Sequence, residues 1–244
     1  MSSNLTGPIH IKSVKVMARQ YGKTMHADDV ISSIGSIYKR FFIPTVLELH
    51  MMRVAAVGTL ICNNWTGSEI RKNNIIAVLL IHDLGNIVKF DLDSRDKRKL
   101  FLEEKDLDYW RKIKAEVMTK YGSEEHEATS NMARELGIDK DMQELLDGMS
   151  RYEGDRKGMS NEEYTEVCIC AYADLRVAPF GVVSASERVQ DLIYRYTGRS
   201  NEAVFKELLE TSPKLENYIF KHVSITPGKI TEESTAPIVA KFRK

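Results

Sequence analysis

The spacing of apolar residues predicts a chain that is helical almost throughout. Apolar side chains recur at the intervals of an amphipathic helix, and no segment shows the sustained alternation expected of strands. The pattern predicts helices near 27–40, from Pro44 to about 63, up to His82, near 101–120, over 124–136 and 139–149, and near 160–177, 184–196 and 201–210. We therefore expect an all-α fold, with Ser123 as the N-cap of the helix over 124–136.

Segments without clear periodicity mark the connections and the end of the chain. Residues 91–99 form a charged connector and residues 153–158 a loop. The last twenty or so residues contain three helix breakers, which predicts an irregular tail or a docked arm. We expect an N-terminal helical extension packed on the core (1–43), a central domain (44–200), and a C-terminal helix followed by an irregular tail (201–244).

Composition and charge narrow the class of protein. The 35 basic and 35 acidic residues give a formal net charge of zero, so a nucleic-acid partner is not indicated. No apolar run approaches the roughly 20 residues of a membrane span, and the first residues lack the pattern of a secretory signal. Three cysteines are too few for a disulfide framework, which predicts buried thiols and a cytoplasmic protein.

The pair His82-Asp83 closes the apolar run over 75–81 and is the strongest chemical signal in the sequence. A buried polar group costs roughly 2–7 kcal/mol unless a partner satisfies it. A divalent metal ion would satisfy both side chains, so we look for further ligands on other helices.

The helix that begins near Pro44 offers one such ligand. His50 lies within its apolar stripe, and Arg53 follows one turn later on the same face. A lone histidine in a stripe is usually a satisfied core residue. A histidine and an arginine together are more typical of a cavity that holds a metal and an anion.

Two later helices carry further candidates. Asp174 lies on a stripe of small and apolar residues, where an aspartate is rarely buried unpaired. Its alternative interpretation is a partner for a buried arginine such as Arg53 or Arg188. His126 lies in the first turn of its helix, where capping and packing are the alternative to a ligand role.

Taken together, His50, His82, Asp83 and Asp174 predict a metal site. Imidazole nitrogen and carboxylate oxygen form a mixed ligand set that suits Mn, Fe, Co, Ni or Zn, and Mg less well. One ion explains four buried polar residues better than four separate partners do.

The order of these residues resembles that of the HD superfamily of metal-dependent phosphohydrolases. The family pattern is a histidine on one helix, a His-Asp pair at the end of the next, and an aspartate on a later helix. The similarity covers roughly residues 44–195 and includes the flanking residues of each motif. It implies an all-helical HD-domain bundle with the metal at its centre.

The resemblance also indicates where this chain differs from two-metal relatives of the HD-GYP type. His126 is similar to the first additional histidine of those proteins and would hold a second metal or contact the substrate. The next family element is rich in histidine, but this chain has Ser150-Arg151-Tyr152-Glu153 there. Asn86 stands where the HD-GYP type commonly has lysine.

The function that the resemblance implies is hydrolysis of a phosphate ester or anhydride in a nucleotide or another small phosphorylated substrate. A bound metal would activate water and polarise the phosphoryl group, with Asp83 orienting the water. Arg53 and Arg151 are candidates to hold phosphate oxygens. A non-catalytic or regulatory metal- or nucleotide-binding module and a di-iron oxygenase are the alternatives, and an oligomer is possible.

Overall fold

The structure, a computed structural model, describes residues 24–93, 102, 106–150, 161–196 and 202–244. Within these ranges it contains ten packed α-helices, which confirms the all-α prediction. They are α1 Ala27–Arg40, α2 Thr45–Asn63, α3 Lys72–Ile81, α4 Leu107–Tyr121, α5 Glu125–Leu136, α6 Lys140–Ser150, α7 Asn161–Leu175, α8 Ala185–Tyr196, α9 Glu202–Phe220 and α10 Glu232–Phe242. Short 3-10 helices cover Asn86–Lys89 and Pro227–Lys229.

A small hairpin, absent from the sequence prediction, follows α7. Strands β1 (Val177–Ala178) and β2 (Gly181–Val182) pair in antiparallel fashion, with Val177 opposite Val182 and Ala178 opposite Gly181. Two-residue strands are too short to produce a visible alternation, so the sequence pattern could not reveal them.

Helices α2 and α3 form the centre of the core. Six of the ten residues of α3 are buried, and its polar residues are confined to the first turn, at positions 72–74. Helix α1 covers α3, and the Tyr38 hydroxyl donates a 2.7 Å hydrogen bond to the carbonyl of Leu80 inside this contact. Helices α7 and α10 pack against α2. The described parts of all three predicted divisions of the chain therefore contribute to one hydrophobic core.

Helix α2 is long and apolar. Its 19 residues and mean hydropathy of 1.4 would suffice to cross a membrane by length and composition alone. The core helix of a soluble protein meets the same criterion, and ten residues of α2 are buried against neighbouring helices. The packing of α2 is therefore accounted for within this fold.

The C-terminal prediction is wrong in one respect. Residues 232–242 form helix α10, not an irregular tail, and Pro237 lies inside it; the helix packs against α2, as expected of the alternative, a docked arm. Proline removes one helical hydrogen bond, but the helix is held by a capping box at Thr231 and by the burial of Thr235 and Val239. The local sequence pattern does not predict this helix, because its stability comes from packing against the rest of the fold.

Of two further local predictions, one is confirmed and one is wrong. The side chains of Cys62, Cys168 and Cys170 are buried, as predicted. Ser123 is not the N-cap of α5. Glu124 takes that position, and its carboxylate accepts the backbone N–H groups of His126 and Glu127 at 3.0 Å each.

Candidate metal centre

Three helices bring the four predicted ligands together. His50 lies in the second turn of α2, His82 and Asp83 follow the last residue of α3, and Asp174 is the penultimate residue of α7. His50 Nε2 lies 3.1 Å from Asp174 Oδ1 and 3.6 Å from Asp83 Oδ2. His82 Nε2 lies 3.6 Å from Asp174 Oδ1 and 3.8 Å from Asp83 Oδ2.

These atoms converge without satisfying one another. His82 Nε2 and Asp174 Oδ1 are both buried and have no hydrogen-bond partner within the described part of the chain, although the His50 ring nitrogen is close to the latter. Ligand atoms that lie about 2.1 Å from one ion, at angles of about 90–109°, are about 3.0–3.4 Å apart. One of the four observed separations, 3.1 Å, lies in this range, and the other three exceed it by a few tenths of an ångström. Ligand atoms of His50, His82 and Asp83 all lie within 4.8 Å of one another, a group that could hold a divalent cation, and Asp174 borders this group through His50 and His82.

The imidazole of His82 is fixed by its other nitrogen. Nδ1 lies 2.8 Å from the carbonyl oxygen of Leu79, three residues earlier in α3. Because a carbonyl can only accept, Nδ1 carries the proton in the neutral ring and Nε2 presents its lone pair to the cluster. This orientation by a backbone carbonyl is common among metal-binding histidines.

Asp83 is held by the turn that follows α3. The side-chain amide of Asn86 donates a 2.7 Å hydrogen bond to Asp83 Oδ2. The backbone N–H of Gly85 donates to Thr129 Oγ1 at 2.9 Å, which ties the turn to α5. Asn86, which departs from the HD-GYP pattern, therefore supports the carboxylate that borders the cavity.

The charges of the cluster stabilise one another. Burial lowers the pKa of His82, but the carboxylates of Asp83 and Asp174 outweigh burial and raise that pKa to about 9. Burial raises the pKa of Asp174, yet contacts with His50 and His82 hold it well below its usual value. A divalent cation bound here would take the place of the proton on His82.

The cluster opens onto a cavity of about 510 Å³. Its wall is largely apolar and comes from several helices, with Leu146 and Met149 of α6, Leu175 of α7, Leu192 of α8, and Leu208 and Leu215 of α9. Among the described residues, the lysine and arginine side chains that line it are those of Lys89, Arg188 and Arg195. A cavity with an apolar wall and a few placed polar groups is typical of a small-molecule site.

His126 lies on the wall of the same cavity but in a different cluster. Its ligand-type nitrogen groups with carboxylate oxygens of Glu124 and Glu125, all within 4.8 Å of one another, and its side chain is 51% exposed. Glu124 caps α5 and Glu125 forms an ion pair with Lys89. A role for His126 at a second metal or at the substrate stays a prediction.

Arg53 has a different partner from the predicted phosphate. Its Nε and Nη2 donate to the carboxylate of Glu232 at 2.6–3.1 Å, and it is absent from the residues that line the cavity. The ion pair joins α2 to the first turn of α10. Arg151, the other predicted phosphate contact, lies outside the described residues.

Sequence reasoning assigns no role to the cavity residue Arg195 and considers Arg188 only as a possible partner of Asp174. They share one face of α8 with Leu192, at the i, i+4, i+7 spacing of a helical stripe. An arginine at each end of an apolar stripe was the signal that could have indicated them. Arg188 is not the partner of Asp174, whose described ion pairs are with His50 and His82.

Models of protein families, curated proteins and solved structures were compared with the chain, and none of them matches. The case for a function therefore depends on the residues of the site.

Proposed function

We propose that this chain is a divalent-metal-dependent phosphohydrolase of the HD superfamily type, acting on a nucleotide or another small phosphorylated substrate. The observation that carries the proposal is the convergence of His50, His82, Asp83 and Asp174 at a cavity wall, with two buried polar atoms that lack any partner. His-Asp order along the chain and an all-α fold support the family assignment.

We assign two roles to the four residues, namely metal binding and orientation of the attacking water. His50, His82 and Asp174 would hold the ion together with Asp83, and a bound divalent ion would supply activation of water and polarisation of the phosphoryl group. The Asp83 side chain is 22% exposed and borders the cavity. Its carboxylate, fixed by Asn86, is placed to accept a hydrogen bond from a water in the cavity and to orient that water.

The ligand types and the cavity restrict the metal and the substrate. The ligand set admits Mn, Fe, Co, Ni, Zn or Mg, with the nitrogen ligands disfavouring Mg. The cavity volume suits a small molecule. A cytoplasmic location and a small-molecule partner belong to the same proposal.

The test combines metal analysis with phosphate release. We expect about one divalent ion per chain by elemental analysis, and release of inorganic phosphate from members of a nucleotide and phosphoester panel in the presence of Mn, Co, Ni or Mg. Asp83→Asn should reduce kcat/KM by about a hundredfold or more, because it removes the carboxylate from the reacting centre. Asp108→Asn is the matched control, because Asp108 is 96% exposed and pairs with Arg111.

Two results would contradict the proposal. A folded, metal-loaded protein that releases phosphate from no member of the panel would indicate the non-catalytic module. Iron content accompanied by oxygen consumption would indicate the di-iron oxygenase.

A further inference from the structure

Arg188 is a half-buried cation on the cavity wall. Its side chain is 13% exposed, and it lies on the cavity-lining face of α8 together with Leu192 and Arg195. A guanidinium carries five N–H donors, all of which need acceptors when water is largely removed. The cost of leaving such donors unmet is larger for a charged group than for a neutral one.

The contacts of Arg188 leave part of its donor set unused. Nη1 donates to Asp191 Oδ2 at 2.7 Å, and the described contacts show no acceptor for Nε or Nη2. Arg53, which is equally buried, differs because Glu232 accepts from both its Nε and its Nη2. Arg188 thus lines the cavity with Nε and Nη2 donors that have no acceptor among the described residues and that are not fully buried.

The position of Arg188 is fixed by its neighbours on the same helix. Asp191 accepts from Nε and Nη2 of Arg195 at 2.8–3.1 Å, one turn further along α8. The same carboxylate accepts from Arg188. Asp191 is therefore held between two arginines, which orders the Arg188 side chain before any ligand arrives and reduces the entropy lost on binding.

We infer that Arg188 binds an anionic oxygen of the substrate, and that this oxygen belongs to a phosphate. The inference rests on the proposed function, because that function selects phosphate over carboxylate as the anion. A guanidinium with two donors on one edge matches two oxygens of a phosphate. The apolar residues beside Arg188 would contact the organic part of the same molecule.

The experiment measures binding of phenylphosphonate, whose carbon–phosphorus bond resists hydrolysis, by calorimetry with the full-length, metal-loaded protein. Arg188→Gln should weaken binding at least about tenfold, since a charge-assisted hydrogen bond is lost. Arg188→Lys should weaken it less, because the charge remains and the paired donors are lost. Asp191 keeps Arg195 as a partner in both variants, so the fold should survive.

Control measurements distinguish binding at Arg188 from a general effect of positive charge on the protein. Arg134→Gln should bind as the wild type does, because Arg134 is 57% exposed and is not among the cavity residues. Equal dissociation constants for the wild type and both Arg188 variants would overturn the inference. Benzoate binding as tight as phenylphosphonate binding, with the same loss in Arg188→Gln, would overturn the assignment to phosphate.

Failure of the two proposals can be told apart. Arg188-dependent binding of phenylphosphonate without phosphate release from any phosphoester would support the anion site and contradict the hydrolase function. Phosphate release that depends on Asp83, with a KM unchanged by Arg188→Gln, would support the hydrolase function and contradict the anion site.

Discussion

Gly85 shows how the absence of one side chain places the Asp83 carboxylate. A Cβ atom at this position would lie 2.5 Å from the Thr129 backbone nitrogen and 2.6 Å from Ala128 Cβ. Gly85→Ala must therefore push the turn away from α5. We expect a loss of about 1–3 kcal/mol in the free energy of unfolding, as in other overpacked sites, together with weaker metal binding because Asp83 moves with the turn.

Urea unfolding and metal titration measure the two effects. Gly35→Ala is the matched control, because Gly35 lies in α1 with no atom within 4 Å of the added Cβ. That substitution should stabilise the protein by about 0.5–1 kcal/mol, since alanine favours a helix interior. Gly85→Ala with unchanged stability and unchanged metal affinity would show that the close packing of the turn does not matter.

Periodicity predicts a direction for a side chain but not its partner. His50 and Asp174 were singled out because a polar residue in a helical stripe points toward neighbouring helices, and the structure brings them together. The same reasoning predicts that Arg53 lines the cavity, which it does not. Its actual partner, Glu232, is 179 residues away and belongs to a segment with no clear helical pattern, so nothing local in the sequence could have indicated the pair.

Glu232 connects α10 to the region of the candidate metal centre. It accepts from Arg53, one turn beyond His50 in α2, and from the backbone N–H of Val182 in β2 at 2.8 Å. The nearby Arg176, two residues after Asp174, is buried and donates to the carbonyls of Pro227 and Ile230. The C-terminal segment is thereby attached close to two of the four ligands.

We predict that Glu232→Ala lowers the free energy of unfolding by about 1–2 kcal/mol, because it leaves the Arg53 guanidinium and the Val182 N–H without their acceptor. Glu232→Gln should cost less, since its amide oxygen can still accept one of these bonds. Urea unfolding checks both. With Arg53→Met added, the loss from Glu232→Ala should shrink, because no charge is left unpaired.

Glu233→Gln is the control for charge in the same helical turn. Glu233 is exposed beside Glu232 in the first turn of α10, so both substitutions remove one negative charge near the helix N-terminus. Equal losses for Glu233→Gln and Glu232→Gln would mean that the helix dipole, not the pair with Arg53, stabilises this end of α10.

Glu135 of α5 joins the neighbouring helix α4 to α1, whose Arg40 lies 95 residues away in sequence. Its carboxylate in α5 pairs with Arg40 of α1 at 2.9 Å and with Lys120 of α4 at 2.6 Å, and it accepts from the Tyr121 hydroxyl. Helix α1 lies in the predicted N-terminal extension, so this contact helps to fasten that extension to the rest of the fold. The apolar periodicity predicts the three helices. It does not predict this junction, because the residues that meet there are of types that are common on protein surfaces.

The junction predicts a dependence of stability on pH. Burial raises the pKa of Glu135, but hydrogen bonds from Lys120, Arg40 and Tyr121 outweigh burial and lower it from its ordinary value of 4.5. A carboxyl whose pKa is lower in the folded state stabilises the protein above its unfolded pKa, and this stabilisation is lost as the pH falls through the folded value. Glu135→Gln should therefore be less stable than the wild type at pH 6, and the difference should shrink steadily below about pH 4.5.

Urea unfolding of the wild type and Glu135→Gln between pH 6 and pH 3 measures this difference. Glu144→Gln is the control, since Glu144 is 50% exposed and pairs with Lys140 of its own helix alone. An isolated surface pair contributes little, so Glu144→Gln should follow the wild type across the range. A gap between the wild type and Glu135→Gln that stays constant down to pH 3 would mean that the carboxylate charge does not hold the three helices together, and that the shape of the side chain does.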